Sequence, residues 1–371
     1  MHPLRAWTID DLRRRRTIKW SMHGPDVLPF WVAEMDAPLA PAVLEVLADV
    51  AATGDLGYPT GEGYAEAFAD FAHDRWSWQP PAGVAVHDVM AGVVQALRLS
   101  VGPGDAVITS PPVYPPFHDA VTMVGGRPVH VPLGANWRLD LDRLESAFSA
   151  HAGRAAYVLC NPHNPTSVAP SRDELTALAA LARRHGVRVV SDEIHAPLTD
   201  PAAFTPYLSV PDTEPDLVAT SASKAWNLAG AKAGLLLGGT PGELAGLPEL
   251  VGHGASTVGI AVQTAAWTDG REWLDAVRAD LVENRALLAD LVAEHLPRAR
   301  PVIGEASYIA WLDLRDHDLG PDPAAVLLER ARVALGSGLP FGAGEGFARV
   351  VYATTPEVLT EAFERIGAVL T

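Results

Sequence analysis

Lysine and cysteine are almost missing from this chain of 371 residues. Lys19, Lys224 and Lys232 are the only lysines among 28 basic side chains, and Cys160 is the single cysteine. One cysteine excludes an intramolecular disulfide framework and suits a reducing compartment. An excess of positive charge is missing too. The formal charge of −17 argues against nucleic acid or an anionic membrane as a partner. The one basic cluster, Arg13 to Arg16, reads as a solvated helix face. No stretch reaches 18 uninterrupted apolar residues, and the Arg-rich N-terminus has no apolar signal segment, so a soluble cytoplasmic protein is expected. His195 lies near carboxylates, but no His-x-x-x-His pair or cysteine cluster accompanies it, so no metal is expected.

What is present is ample apolar content, 48%, and enough length for two domains. The middle of the chain alternates between strand-like and helix-like segments. Val93–Val101 reads as a helix, and Ala106–Thr109 and Val129–Pro132 as strands. Ala155–Cys160 is a continuous apolar run of the kind covered on both faces. Ser171 and Glu174 form a capping-box pattern, Leu175, Leu178 and Ala182 repeat at helical spacing, and Gly186 closes that helix. Val187–Ser191 then returns as a strand ending at Asp192. Such units imply a mostly parallel sheet flanked by helices, with ligands gathering beyond the carboxyl ends of the strands. After about residue 265 the texture changes to a long helix, Glu272–His295, two strands at Ser307–Leu314 and Arg349–Ala353, and a last helix from Pro356. The expectation is an α/β protein in which 46–265 form a large domain. Residues 1–45 and 266–371 form a smaller α+β domain.

The scarcity of lysine makes Lys224 conspicuous. Arginine stays protonated at any working pH, whereas a lysine amine can lose its proton and condense with a carbonyl. Lys224 follows an apparent strand, Asp216–Ser221, among small and apolar residues. Other elements lie after strands as well: Asn164 in Asn161-Pro-His-Asn-Pro-Thr166, Asp192 in Ser191-Asp-Glu-Ile-His195, and Tyr114 in Pro111-Pro-Val-Tyr-Pro-Pro116. Each alone has a bland reading as a turn, a strand-end acid or core filler. Together they match what pyridoxal phosphate needs. Lys224 supplies a Schiff-base amine, Asp192 an acid for the ring nitrogen, Asn164 a donor for the phenolic oxygen and Tyr114 an aromatic face. Gly92, before Val93 and Val94, offers helix-start N–H groups to the phosphate. A metal hydrolase would use Asp192 and His195 and leave Lys224 idle.

The chain resembles fold-type I pyridoxal-phosphate enzymes of the class I/II aminotransferase superfamily, and more narrowly the MalY/PatB-type cystathionine β-lyases, or C–S lyases. The markers of that branch are Leu28-Pro-Phe-Trp-Val-Ala-Glu-Met-Asp36 and the Pro111–Phe117 run. Gly57-Tyr-Pro59 and Ser223-Lys-Ala-Trp-Asn-Leu-Ala-Gly230 also match. The resemblance implies that Lys224 carries the cofactor and then moves protons, that Asp192 pairs with the ring nitrogen and that Asn164 and His195 sit near the phenolic oxygen. It assigns the phosphate to Gly92, Val93, Val94, Ser221, Ser223 and Lys232, and the substrate carboxylate to Arg349, whose bland reading is a solvated strand arginine. Tyr58 would reach the phosphate of a neighbouring subunit, implying a homodimer. The chain departs from the pattern at Lys232, where relatives usually carry arginine and a point charge replaces a planar fork. It also has Glu34 in place of aspartate and Ser167 in place of glycine.

The resemblance implies a β-lyase that cleaves cystathionine or cysteine S-conjugates to thiol, pyruvate and ammonia. An aminotransferase shares every step up to the loss of the Cα proton. A pyridoxal-binding regulatory protein is the third reading.

Overall fold

All six residues of Ala155–Cys160 are buried, so the strand shows no alternation of polar and apolar side chains. It lies at the heart of a seven-stranded sheet in a computed structural model that describes residues 1–240 and 242–370. The last residue of the expected small domain, Thr371, and Pro241 lie outside the described residues. The sheet belongs to the larger of two compact units, Leu39–His163 with Val168–Arg271.

From edge to edge the strands are Gly83–Val86, Gly234–Gly238, Leu217–Thr220, Arg188–Asp192, Ala155–Cys160, Ala106–Thr109 and Arg127–His130. The last five run parallel; Gly234–Gly238 is antiparallel to both its neighbours. Local signals explain the flanking helices. Ser171 Oγ accepts the Glu174 N–H at 3.2 Å, the Glu174 carboxylate accepts the Ser171 N–H at 2.8 Å, and Gly186 ends the helix Arg172–His185 at φ 61°. The helix expected at Val93 begins earlier, at Val89, because Asp88 caps it through the Ala91 N–H at 2.9 Å. That helix packs closely on the sheet at Gly92, where an added Cβ would lie 3.3 Å from the side chains of Ala219 and Val86.

The second unit comprises Met1–Pro38, Asn164–Ser167 and Glu272–Thr371. Its sheet runs Leu28–Phe30, Val333–Ser337, Phe347–Val351, Ile309–Asp313 and Arg300–Val302. Two of these strands follow from sequence pattern; the edge strands are three residues long, too short to show a period. Leu274, Val277, Leu281 and Leu288 form the buried stripe of the helix Arg271–His295. Asp280 on the same helix is buried and accepts the Leu4 N–H at 2.9 Å and Arg5 Nη1 at 2.6 Å, which ties the N-terminus down. The grouping of Asn164–Ser167 with this unit has no local signal. Ser167 Oγ donates to the Ile309 carbonyl at 2.7 Å, a contact spanning 142 positions. Among the described residues no helix is long and apolar enough to cross a membrane.

Under the Lys224 turn the larger unit is stiffened by aromatics. Trp267 packs at 4.9 Å on Trp226, 4.8 Å on Phe71 and 5.2 Å on Phe68, between ring centroids. Trp267→Ala is expected to cost about 3–5 kcal/mol of stability in chemical denaturation; a loss below about 1 kcal/mol would mean the cluster is not supporting the unit.

Candidate active site

The carboxyl ends of the parallel strands carry most of the expected residues. Asp192 is the last residue of Arg188–Asp192 and pairs with Ala219 on the next strand. That neighbour ends at Thr220, and the chain turns at once into the segment bearing Lys224. The turn is closed by Trp226 N–H to the Ala222 carbonyl at 3.0 Å and Leu228 N–H to Ser223 at 2.8 Å. Lys224 is half-buried within it.

Asp192 is buried, and its Oδ1 accepts the Ile194 N–H at 3.0 Å. Burial pushes its pKa up to about 7, against the opposing pull of that N–H and of the Lys224 charge. Such a carboxyl favours any cation that comes against it. Its neighbour Glu193, absent from the sequence expectations, is also pushed to about 7 by burial. Glu193 Oε1 accepts from Asn161 Nδ2 at 3.0 Å, the Tyr207 N–H at 2.9 Å and Ser191 Oγ at 3.2 Å. His195 is buried in the loop that follows.

Gln263 is the second residue that sequence reasoning missed. It is 0% exposed. Its Oε1 accepts from Tyr64 at 2.7 Å, Ser221 Oγ at 2.8 Å and the Ala222 N–H at 3.1 Å, while its Nε2 donates to the Ala231 and Ala233 carbonyls. The only sign in the sequence is a lone amide in the apolar run Ile260–Trp267. This network includes Ser221, one of the residues expected at the phosphate. Ser221 Oγ also faces the Ala233 carbonyl at 2.9 Å and accepts the Ser223 N–H, so Ser221 braces the lysine turn from behind.

The expected anion cradle lies at the first turns of the helix that starts at Val89. Gly92 N–H donates to the Asp88 carbonyl at 2.9 Å, the first bond of the helix, and Val93 and Val94 follow inside it. Their N–H groups are therefore committed to the helix ladder, and the donors at its N-terminus are those of Val89 and Met90. Gly92 is small for packing, not for a turn, and from sequence the two reasons look alike. Lys232 stands at this terminus, its Nζ 2.9 Å from Asp88 Oδ2. Tyr114, in the loop after Ala106–Thr109, is half-buried with its ring edge-on to Phe117 at 5.7 Å. Tyr58 is 90% exposed and stacks loosely on His253.

A second group forms within the smaller unit. Arg349 is only 8% exposed, which removes the reading as a solvated strand arginine. Its Nη1 donates to Asn164 Oδ1 at 3.3 Å and its Nη2 to the Trp31 carbonyl at 2.8 Å. The guanidinium lies over Phe341 at 5.3 Å, and Gly336 sits opposite on the next strand, leaving room for its stem. Both oxygen acceptors are neutral, so neither cancels the guanidinium charge, and the fork suits a carboxylate.

The donor set fits pyridoxal phosphate: a lysine on a braced turn, a buried acid beside it for a protonated ring nitrogen, and helix N–H groups with Lys232 for a phosphate. Comparison with known proteins agrees. Residues 25–366 match the family model described as aminotransferase class I and II. A Mycobacterium leprae protein named as a candidate cystathionine beta-lyase is 46% identical over 100% of this chain and 98% of its own length. Cystathionine beta-lyase PatB of Bacillus subtilis is 32% identical over 96% of this chain and 97% of its own. The crystal structure of a candidate PLP-dependent beta-cystathionase from Corynebacterium diphtheriae superposes with a TM-score of 0.94 at 33% identity, covering 99% of both chains.

In the folded protein Asp192 holds its proton to about pH 7, whereas an unfolded aspartate releases it near pH 4 (roughly). The folded state thus binds more protons in that window, and the contribution is fully present below about pH 4 and lost as pH rises through 7. The stability of ligand-free protein relative to Asp192→Asn is therefore expected to fall across this range in denaturation curves. A difference independent of pH would rule out the raised pKa.

Proposed function

Because the chain belongs to the aminotransferase class I and II family, we propose that it is a pyridoxal-phosphate-dependent carbon–sulfur β-lyase acting on cystathionine or cysteine S-conjugates. The observation that carries the reading is the buried Asp192 beside the Lys224 turn, with its raised pKa. The lyase outcome is supported by relatives matched along their full length that are named cystathionine beta-lyase.

When bound, the cofactor supplies an electron sink for the pair left when Cα loses its proton. Asp192 keeps the ring nitrogen protonated, since a cation against it restores its charge. Lys224 would hold the cofactor through Nζ, and the same amine would take the Cα proton. Arg349 holds the α-carboxylate, and Asn164 holds Arg349 through Nη1. Tyr114 would offer its face to the ring, and His195 would serve the phenolic oxygen. The N–H groups of Val89 and Met90, with Lys232 and Ser223, would hold the phosphate. The Cβ–S bond then breaks with its electrons going to sulfur, the thiolate takes a proton, and water releases pyruvate and ammonia.

Tyr58 completes the phosphate site of a second copy of the chain. Its 90% exposure, with Leu56 and Leu250 also exposed nearby in sequence and beside its ring partner His253, supports a homodimer. The buried free thiol of Cys160 suits the reducing cytoplasm.

Purified protein is expected to form pyruvate and a thiol from cystathionine without any 2-oxo acid present. Lys224→Ala should lose at least about 10³-fold in kcat, together with the cofactor's visible absorbance. Amino transfer to an added 2-oxo acid, with no pyruvate in its absence, would instead make the protein an aminotransferase. Arg349→Ala is expected to raise KM by about 100-fold, the worth of a charge-assisted fork; an unchanged KM would remove Arg349 from the substrate.

A further inference from the structure

The third lysine is explained by neither a solvated surface nor the cofactor. Lys19 is 1% exposed, and its Nζ donates to Asp36 Oδ2 at 2.8 Å and to the Glu34 carbonyl at 3.0 Å. The other oxygen of Asp36 accepts Trp20 Nε1 at 2.7 Å, and Asp36 N–H donates to the Ala353 carbonyl at 2.9 Å. Arg15 Nη1 takes the Met35 carbonyl at 3.0 Å, and Tyr308 OH reaches the Ala33 carbonyl at 3.3 Å. Three successive carbonyls, of Ala33, Glu34 and Met35, are thus pinned in a segment with no helix or strand of its own.

The other end of that segment is Trp31. It follows directly on Leu28–Phe30, which is held in the sheet by Val333–Leu335. Its carbonyl is the acceptor for Arg349 Nη2. The irregular stretch 31–36 therefore runs from a sheet-anchored start to a charge-anchored finish, and delivers one backbone oxygen to the guanidinium. A compact ammonium on a thin stem can make two contacts inside so closed a space, which a planar fork could not.

We propose that Lys19 and Asp36 are positioning residues for Arg349: by fixing the Trp31 carbonyl they set the direction of its guanidinium, and with it the affinity for the substrate's α-carboxylate. The proposal rests on Arg349 as the carboxylate site. It goes further by assigning the tuning of that site to a buried ion pair that touches neither substrate nor cofactor. Misplacement of a binding group by a fraction of an ångström is enough to change binding and rate measurably.

The test uses the holoenzyme carrying Lys19→Met, with Arg349→Ala as the reference. Steady-state constants are measured for cystathionine and for its analogue with an α-carboxamide in place of the α-carboxylate. Lys19→Met is expected to raise KM for the carboxylate substrate about 10-fold and to shrink the preference over the carboxamide by about the same factor. The visible absorbance of the bound cofactor and its affinity should stay as in the parent. A merely structural role would leave the preference between the two substrates untouched, and that result overturns the proposal. If Lys19→Met does not fold, the double variant Lys19→Met with Asp36→Asn removes both charges together, and Trp20→Phe frees one Asp36 oxygen while keeping the pair. Both are expected to reduce the preference, and an unaltered preference in either folded variant also overturns the proposal. Should Arg349→Ala itself keep the full preference, the carboxylate reading of Arg349 fails and the proposal falls with it.

Discussion

A carboxyl group withdrawn from water at the end of a parallel strand is the constraint around which the larger unit is arranged. Asp192 is not left bare: one N–H reaches it and the Lys224 charge leans on it, yet burial still dominates. The same pattern recurs behind it. Glu193 collects three donors, and Asp216 takes the Val189 N–H and the Tyr207 hydroxyl, yet burial pushes both to about 7. Donors soften the cost of burying an acid without removing it. Asp192 and Glu193 stand at the carboxyl end of the strand Arg188–Asp192 and Asp216 beside its start, and at Asp192 a protonated ring nitrogen would answer the burial of the acid.

Chemistry at a lysine also needs the lysine held still. Its turn has few local bonds, and the stiffness comes from beneath. Gln263 reaches across 42 positions to Ser221, and Trp226 Nε1 donates to the Gly270 carbonyl at 2.8 Å. A buried amide whose oxygen and nitrogen are both used is costly to disturb. Reactivity at the turn and saturation below it are two sides of one design, because a mobile amine would lose the orientation that makes it a useful base.

The smaller unit holds a buried cation, Arg349, in a different setting. Arg349 rests on an amide oxygen, a backbone carbonyl and an aromatic face, acceptors that orient a guanidinium without cancelling it. Lys19, by contrast, is matched to the Asp36 carboxylate and the Glu34 carbonyl. Two buried cations in one unit are thus held by different kinds of partner.

Much of this was legible in the chain. The strand patterns ending at Asp192 and before Lys224 are local, as are the capping box at Ser171 and the apolar run Ala155–Cys160, so sequence alone determined the parallel sheet and the places of Asp192 and Lys224 at its strand ends. The rarity of lysine singled out Lys224 and the family resemblance Lys232, though neither said anything of Lys19. The helix start moved from Val93 to Val89, since a glycine that packs closely, as Gly92 does, is indistinguishable in sequence from one at a helix start. The partners of Ser221 were not legible, because a serine near a lysine can face either way. Only the tertiary structure decided that Gln263 braces the turn, that Asn164 groups with Arg349, and that Asp36 holds Lys19. These are contacts between residues far apart in the chain, and desolvation, which raises Asp192 and Glu193, is a property of everything packed around a group rather than of its neighbours in sequence.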